Sequence, residues 1–167
     1  PATYAELIYA MDRSFYHTKG IAVFRYPKGE ELKMAVLPDD QPGDWRHIKR
    51  GGRALVITYG REFAQVYQAS ETLGTQGKQA DILKLHRIIR IPEECIAIAR
   101  KYARILFVEE GVAAGGIGEH FSAALTKAGY RGILQIAAVQ EPFIPNMPVA
   151  EGLKYCGLDA RSLADRM

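Results

Sequence analysis

Only two cysteines, Cys95 and Cys156, occur in the 167 residues. They are too few for a disulfide framework and have no CxxC spacing, so a reduced, cytoplasmic protein is expected. No run of 18 apolar residues exists, which argues against a membrane-spanning helix. The first residues, PATYAELIYA, carry no basic stretch ahead of an apolar one, so no secretory signal is expected. Charge of one sign is also scarce in excess: the net value is +3, with the basic residues scattered. Without a basic patch interleaved with aromatics, nucleic acid is not an expected partner. His17, His47, His86 and His120 show no metal-ligand spacing, and no HExxH or paired His/Cys cluster is present.

A composition of 48% hydrophobic and 25% charged residues suits one globular domain, or one domain with part of another. In YAELIYAMDRSFYHTKG, Leu7, Ile8, Met11 and Phe15 share a helical face and Gly20 supplies a stop. IAVFRY then reads as a short buried strand, ended by Pro27 and Gly29. Residues 30–50 are poorly periodic and punctuated by proline and aspartate, as in a connector, within which Trp45 is expected to bury its ring. From Gly51 onward strand and helix alternate: RALVITYG, then a helix with Phe63, Val66, Tyr67, Ser70 and Leu73 at helical spacing, then ADILKL. IPEECIAIARKY follows as a helix with Pro92 near its first turn, then ARILFVEEG, GGIGEHFSAALTKAG and RGILQIAAV. In the helix of that last group, Ile117, Phe121, Leu125 and Ala128 point inward. Four strands alternating with helices imply a parallel sheet covered by helices through right-handed crossovers. The tail gives two short helices broken at Gly157, the second with Asp159 as N-cap.

The turn GVAAGGIGEH is the one candidate phosphate cradle. It has glycines and a helix start but no GKS or GKT, and its glycines at 111, 115, 116 and 118 do not make GxGxxG. Glu109, Glu110 and Glu119 flank it and oppose an anion there. The reading is therefore structural: the glycines let a strand turn sharply and a helix lie close on the sheet, and the helix N-terminus favours the carboxylates. Glu109 and Glu110 are adjacent on a strand and point to opposite faces, so they are not expected to form an acid–base pair. Cys95 lies on an apolar helix face and reads as a small core hydrophobe, as does Cys156; Ser122 and Ser162 lack a nucleophile-elbow context.

In order, RYPKG, ALVITYGREFAQVYQASETL, ARILFVEEGVAAGGIGEHFSAAL and FIPNM with GLKYCGLDARSL resemble the carboxyl-terminal part of the transketolase-like, thiamine-diphosphate-dependent enzymes. Within that superfamily the pattern is most similar to the 1-deoxy-D-xylulose-5-phosphate synthase family. The resemblance covers nearly the whole chain and implies three parts. Residues 1–30 would be the last helix and strand of a pyrimidine-binding domain, 31–50 a linker, and 51–167 a carboxyl-terminal domain. That domain would be an α/β three-layer sandwich on a mostly parallel, mixed sheet of about five strands. The activity implied for the whole protein is condensation of pyruvate with glyceraldehyde 3-phosphate, with loss of CO₂. Thiamine diphosphate and Mg²⁺ would carry that chemistry. Their GDG-type motif, and the glutamate and histidines that serve the cofactor, have no match here. This segment alone is therefore expected to bind no cofactor and to be inactive.

The resemblance places Arg25 and Lys28, in FRYPKGEELK, at the acceptor's phosphate. A guanidinium fork suits that task; lysine stands at 28 where the family usually has arginine, replacing a fork by a point charge. The turn RIIRIPEE approximates the family's R-x-x-K-P-L-D with its proline displaced by one, so no role is carried through it. Expected partners are the amino-terminal portion of the same polypeptide and a second copy, with neither nucleic acid nor membrane. The bare apolar face of the first helix is expected to pack on the carboxyl-terminal domain or on that copy. Two other readings stay open: part of a transketolase or of a 2-oxo-acid dehydrogenase beta-subunit, and a non-catalytic α/β assembly module.

Overall fold

The computed structural model describes residues 1–27, 31, 43–141 and 143–167. Eleven elements follow in order among them: α1 (Tyr4–His17), β1 (Trp45–Ile48), β2 (Ala54–Tyr59), α2 (Glu62–Thr75), β3 (Ala80–Leu85), α3 (Glu93–Ala99), β4 (Arg104–Val112), α4 (Ile117–Lys127), β5 (Ile133–Val139), α5 (Val149–Tyr155) and α6 (Ala160–Ala164). The five strands form one sheet in the order β1-β3-β2-β4-β5. β2 pairs in parallel with β3 and β4, and β4 with β5, while β1 runs antiparallel along β3.

Alternate residues of each strand feed two separate cores, because successive side chains point to opposite faces. On one face Val56, Ile82, Leu106, Val108 and Ala137 meet Phe63, Val66 and Ala69 of α2, with Leu153, Leu158 and Leu163 from the tail. On the other, Leu55, Ile57, Leu83 and Phe107 meet Cys95 and Ala99 of α3 and Phe121 and Leu125 of α4. Burial on both faces explains why the central strands read as near-continuous apolar runs. The result is the expected α/β three-layer sandwich on a mixed, mostly parallel five-stranded sheet.

Local signals set the helix ends. The Asp159 carboxylate accepts from the N–H groups of Arg161 and Ser162 at 3.1 and 3.3 Å, capping α6. Gly129, at φ 80°, closes α4 by a left-handed turn in which the Tyr130 N–H returns to the Leu125 carbonyl at 3.0 Å.

Two segments differ from the sequence reading. Trp45–Ile48, taken as connector, is the antiparallel edge strand β1, with Trp45 opposite Leu85 and half-buried against the second core. IAVFRY has no strand assignment, and Ile21 is 95% exposed. No described strand lies beside it to accept its hydrogen bonds, so an apolar run that would be buried elsewhere lies bare. The stripe of α1 is bare as well, with Ile8 67% and Phe15 72% exposed, so it does not pack on this domain.

Candidate functional site

The chain leaves β2 for β3 on one side and then reaches β4 on the other, so the topological switch lies between β2 and β4. In open α/β sheets the crevice outside the carboxyl ends of such strands is where ligands are held. Here those ends bring together Tyr59, Arg61 and Glu62 with Glu109 and Glu110.

Glu109 is buried and fills the position an anion would take at the start of α4. One carboxylate oxygen accepts from the Gly118 N–H at 2.9 Å; the other accepts from the Ile117 N–H at 3.0 Å and the Tyr59 hydroxyl at 2.8 Å. Gly116 and Gly118 make the approach possible. A Cβ on Gly116 would come 2.8 Å from the Val112 carbonyl and would meet the Glu109 carboxylate, and one on Gly118 would lie 3.1 Å from that carboxylate. The glycine-rich turn is thus a cradle for the protein's own carboxylate, as the structural reading of the sequence expects. Burial pushes the Tyr59 phenol well up, helped by Glu109 beside it. The Arg25 guanidinium opposes that shift, which sets its charge in the field of the same hydroxyl.

Glu110 points the other way, toward solvent, and is held by both Arg61 Nε and Nη2 in a two-point guanidinium–carboxylate pair. The two adjacent glutamates therefore serve opposite faces and form no dyad. Glu62, in the first turn of α2, is 0% exposed and neither carboxylate oxygen has a hydrogen-bond partner. Burial, reinforced by the Glu110 charge and opposed by Arg61, raises it to about 8, so it is largely protonated at neutral pH. Beside Arg61 and Glu110 opens a mostly apolar groove of about 400 Å³, lined in part by Ile144, Asn146, Met147, Leu153 and Cys156.

At the opposite edge of the sheet Asp81 is a structural hub. Its carboxylate accepts from the Arg50 and Gly52 N–H groups at 2.7 and 2.9 Å and from the Tyr102 hydroxyl at 2.6 Å, while that hydroxyl lies 3.0 Å from His47 Nε2. Cys95 is fully buried, and burial pushes its thiol up to about 12, as befits a core residue. Cys156 is only half-buried, on the groove wall.

Of the two expected phosphate ligands, Arg25 is exposed at the end of the extended run, on the side of Tyr59. Lys28 lies outside the described residues. Tyr59 and Glu62 were not singled out from sequence; the available signal was TYGREF, polar residues placed where a buried strand ends.

Do these residues fit a diphosphate and its magnesium ion? The helix start that could hold a phosphate is occupied by Glu109, Arg61 is engaged by Glu110, and Glu62 is kept neutral by burial. They do not fit that group.

Fold and site together define an α/β domain whose anion position, at the start of α4, is filled by its own Glu109. Residues 43–163 match the model of the transketolase C-terminal domain, and the chain belongs to that family. Curated relatives carry a particular name. The chain is 29% identical over 157 residues to the 1-deoxy-D-xylulose-5-phosphate synthase of Azobacteroides pseudotrichonymphae, covering 88% of this chain and 24% of that protein. It is 26% identical over 172 residues to the synthase of Synechococcus sp. strain JA-3-3Ab, covering 100% of this chain and 26% of that one. The chain thus spans about a quarter of the curated relatives it matches. Among solved structures, a split-gene transketolase described as an inactive beta4 tetramer superposes with a TM-score of 0.69 at 21% identity, over 80% of this chain and 45% of that one. A transketolase mutant from Pichia stipitis gives 0.55 at 16%, over 74% and 17%.

Proposed function

We propose that this chain is the carboxyl-terminal portion of a thiamine-diphosphate-dependent synthase that condenses pyruvate with glyceraldehyde 3-phosphate to 1-deoxy-D-xylulose 5-phosphate, releasing CO₂. The observation that carries this reading is the match to a synthase of that name across 100% of the chain, including the residues ahead of the sheet domain. In this reading residues 1–30 complete a pyrimidine-binding domain, 31–50 link it to the rest, and 51–167 form the carboxyl-terminal domain. Thiamine diphosphate and Mg²⁺ are held by the preceding portion of the polypeptide, since the described residues here do not fit them. The intact protein works as a homodimer, and this segment is scaffold, inactive by itself.

The chain's own contribution to chemistry is cationic. Arg25 extends into solvent and can grip two oxygens of the acceptor's phosphate, with Lys28 as a second, point-like charge. The Tyr59 hydroxyl that donates to Glu109 lies within the field of the Arg25 charge.

The test is turnover by the protein of the complete reading frame, supplied with both substrates, the cofactor and magnesium. Deoxyxylulose phosphate should form, and Arg25→Ala should raise KM for glyceraldehyde 3-phosphate by about 10- to 100-fold, the loss of one charge-assisted phosphate contact. Transfer of a two-carbon unit from a ketose phosphate with no use of pyruvate would assign the chain to a transketolase instead.

A further inference from the structure

Three carboxyl groups gather round the groove beside Arg61, and their charge is not balanced there. The groove lies between the start of α2, the turn after β5 and α5, and its volume of about 400 Å³ is one that small-molecule sites occupy. Most of its wall is apolar, with Met147, Leu153 and Leu158 among the lining side chains. Among the described residues Arg61 is the one cation that lines it, and Glu110 already engages both its Nε and its Nη2. Burial raises the Cys156 thiol, helped by Glu110, Glu141 and Glu62, so all three carboxyl groups stand within electrostatic reach of that wall. Glu62 differs from the other two. It is fully buried in the first turn of α2, and neither of its oxygens has a hydrogen-bond partner. The charges that face it are Arg61 from α2 and Glu110 from β4, with the Cys156 thiol at the end of α5. A buried carboxyl with two orphan oxygens calls for a partner, and a cation brought near it favours its ionised form. Gly152 adds room. It sits within α5, where glycine weakens a helix, yet a Cβ there would meet nothing closer than Met147 at 3.8 Å. Packing does not require that glycine, and its missing side chain widens the groove it lines.

We propose that this groove binds a small organic cation, a primary ammonium on an apolar body, with the ammonium at Glu62 and the body against Met147, Leu153 and Leu158. An anionic ligand meets the same carboxyl groups as repulsion and must take Arg61 away from Glu110. On binding, Glu62 gives its proton to solvent while the ammonium keeps its own, so the ion pair forms with one proton released. The ammonium then supplies the donors that both Glu62 oxygens lack. The inference stands on this domain alone and goes beyond the synthase reading, which gives the groove no role.

Calorimetric titration of the 167-residue chain with phenethylamine tests the site, with 3-phenylpropionate and 2-phenylethanol as anionic and neutral counterparts of the same body. At pH 8 the amine should bind one site per chain, about tenfold or more tightly than either counterpart. From pH 6 to pH 8 its affinity should rise about fiftyfold, because at the lower pH each bound amine must first displace the Glu62 proton. Heats in buffers of different ionisation enthalpy should count about one proton released per amine at pH 7. Glu62→Gln keeps the shape of the acid and should abolish the pH dependence, weakening the amine at pH 8 by about tenfold or more. Gly152→Leu, which fills the groove from α5, should prevent binding. No saturable heat from the amine at millimolar concentration overturns the site. Equal or tighter binding of either counterpart overturns the cation. An affinity that is flat with pH, or unchanged by Glu62→Gln, overturns the part given to Glu62, and binding undiminished by Gly152→Leu overturns the groove. None of these readouts uses turnover, so failure of the synthase reading would leave them unchanged.

Discussion

Replacing Glu62 by glutamine removes a buried acid while keeping its shape. Glu62 is fully buried, neither oxygen is partnered, and its carboxyl holds its proton to about pH 8, against an ordinary value of 4.5. Between those two values the folded chain binds more protons at this position than the unfolded chain does. Stability therefore falls as pH rises through that window, by about 1.4 kcal/mol per pH unit from this group. The cumulative cost is about 3 kcal/mol at pH 7 and approaches about 5 kcal/mol above pH 8. Glutamine cannot ionise, so Glu62→Gln should match the parent protein near pH 4 and exceed it by about 3 kcal/mol at pH 7. Denaturant midpoints of both proteins measured from pH 4 to 9 give the difference directly, and other titrating groups cancel in it. A difference that does not change with pH would refute the reasoning, because it would mean that Glu62 is ionised in the folded chain or paired with a group that compensates it.

Other expectations follow from the same contacts. Gly116→Ala should cost about 1–3 kcal/mol in denaturant unfolding, since its Cβ would meet both the Val112 carbonyl and the Glu109 carboxylate. Tyr59→Phe should cost less, about 1–1.5 kcal/mol, because Glu109 keeps its two backbone donors. For Asp81, burial would raise the carboxyl, but the Tyr102 hydroxyl and the Arg50 and Gly52 N–H groups outweigh it and hold it below the usual range. Its contribution is then complete above the unfolded value of 3.8 and is lost as pH falls through the folded one. Asp81→Asn should accordingly destabilise by about 1–3 kcal/mol at pH 7, with the gap narrowing in acid, as thermal unfolding across pH would show.

The sheet was legible in the sequence because β2, β3 and most of β4 are buried on two faces and read as short apolar runs, and the edge strand β5 ends in the buried stretch Ala137–Val139. β1 was not: WRHI is too short to show alternation, and its strand character comes from pairing with β3. IAVFRY misled for the converse reason, since apolar content promises burial only where a neighbouring strand exists. The fate of the glycine-rich turn could be inferred from Glu109, Glu110 and Glu119 around it, because carboxylates at a helix start compete with any bound anion. The identity of the winner could not, since Tyr59 stands fifty positions from Glu109 in the chain and no local pattern joins them. Glu62 was hidden by its own charge: a glutamate in a first helical turn reads as a surface residue, and only the packing of α2 against the sheet buries it. Lys84 escaped notice in the same way, as a lysine within a strand whose ammonium is covered by α1 and Phe63.

Isothermal titration of the 167-residue chain with thiamine diphosphate and Mg²⁺ tests most directly the claim that the anion position at the start of α4 is filled by its own Glu109. The account expects no saturable heat, with Glu109 remaining at the start of α4. Binding of one equivalent per chain, weakened by Gly118→Ala, would contradict it.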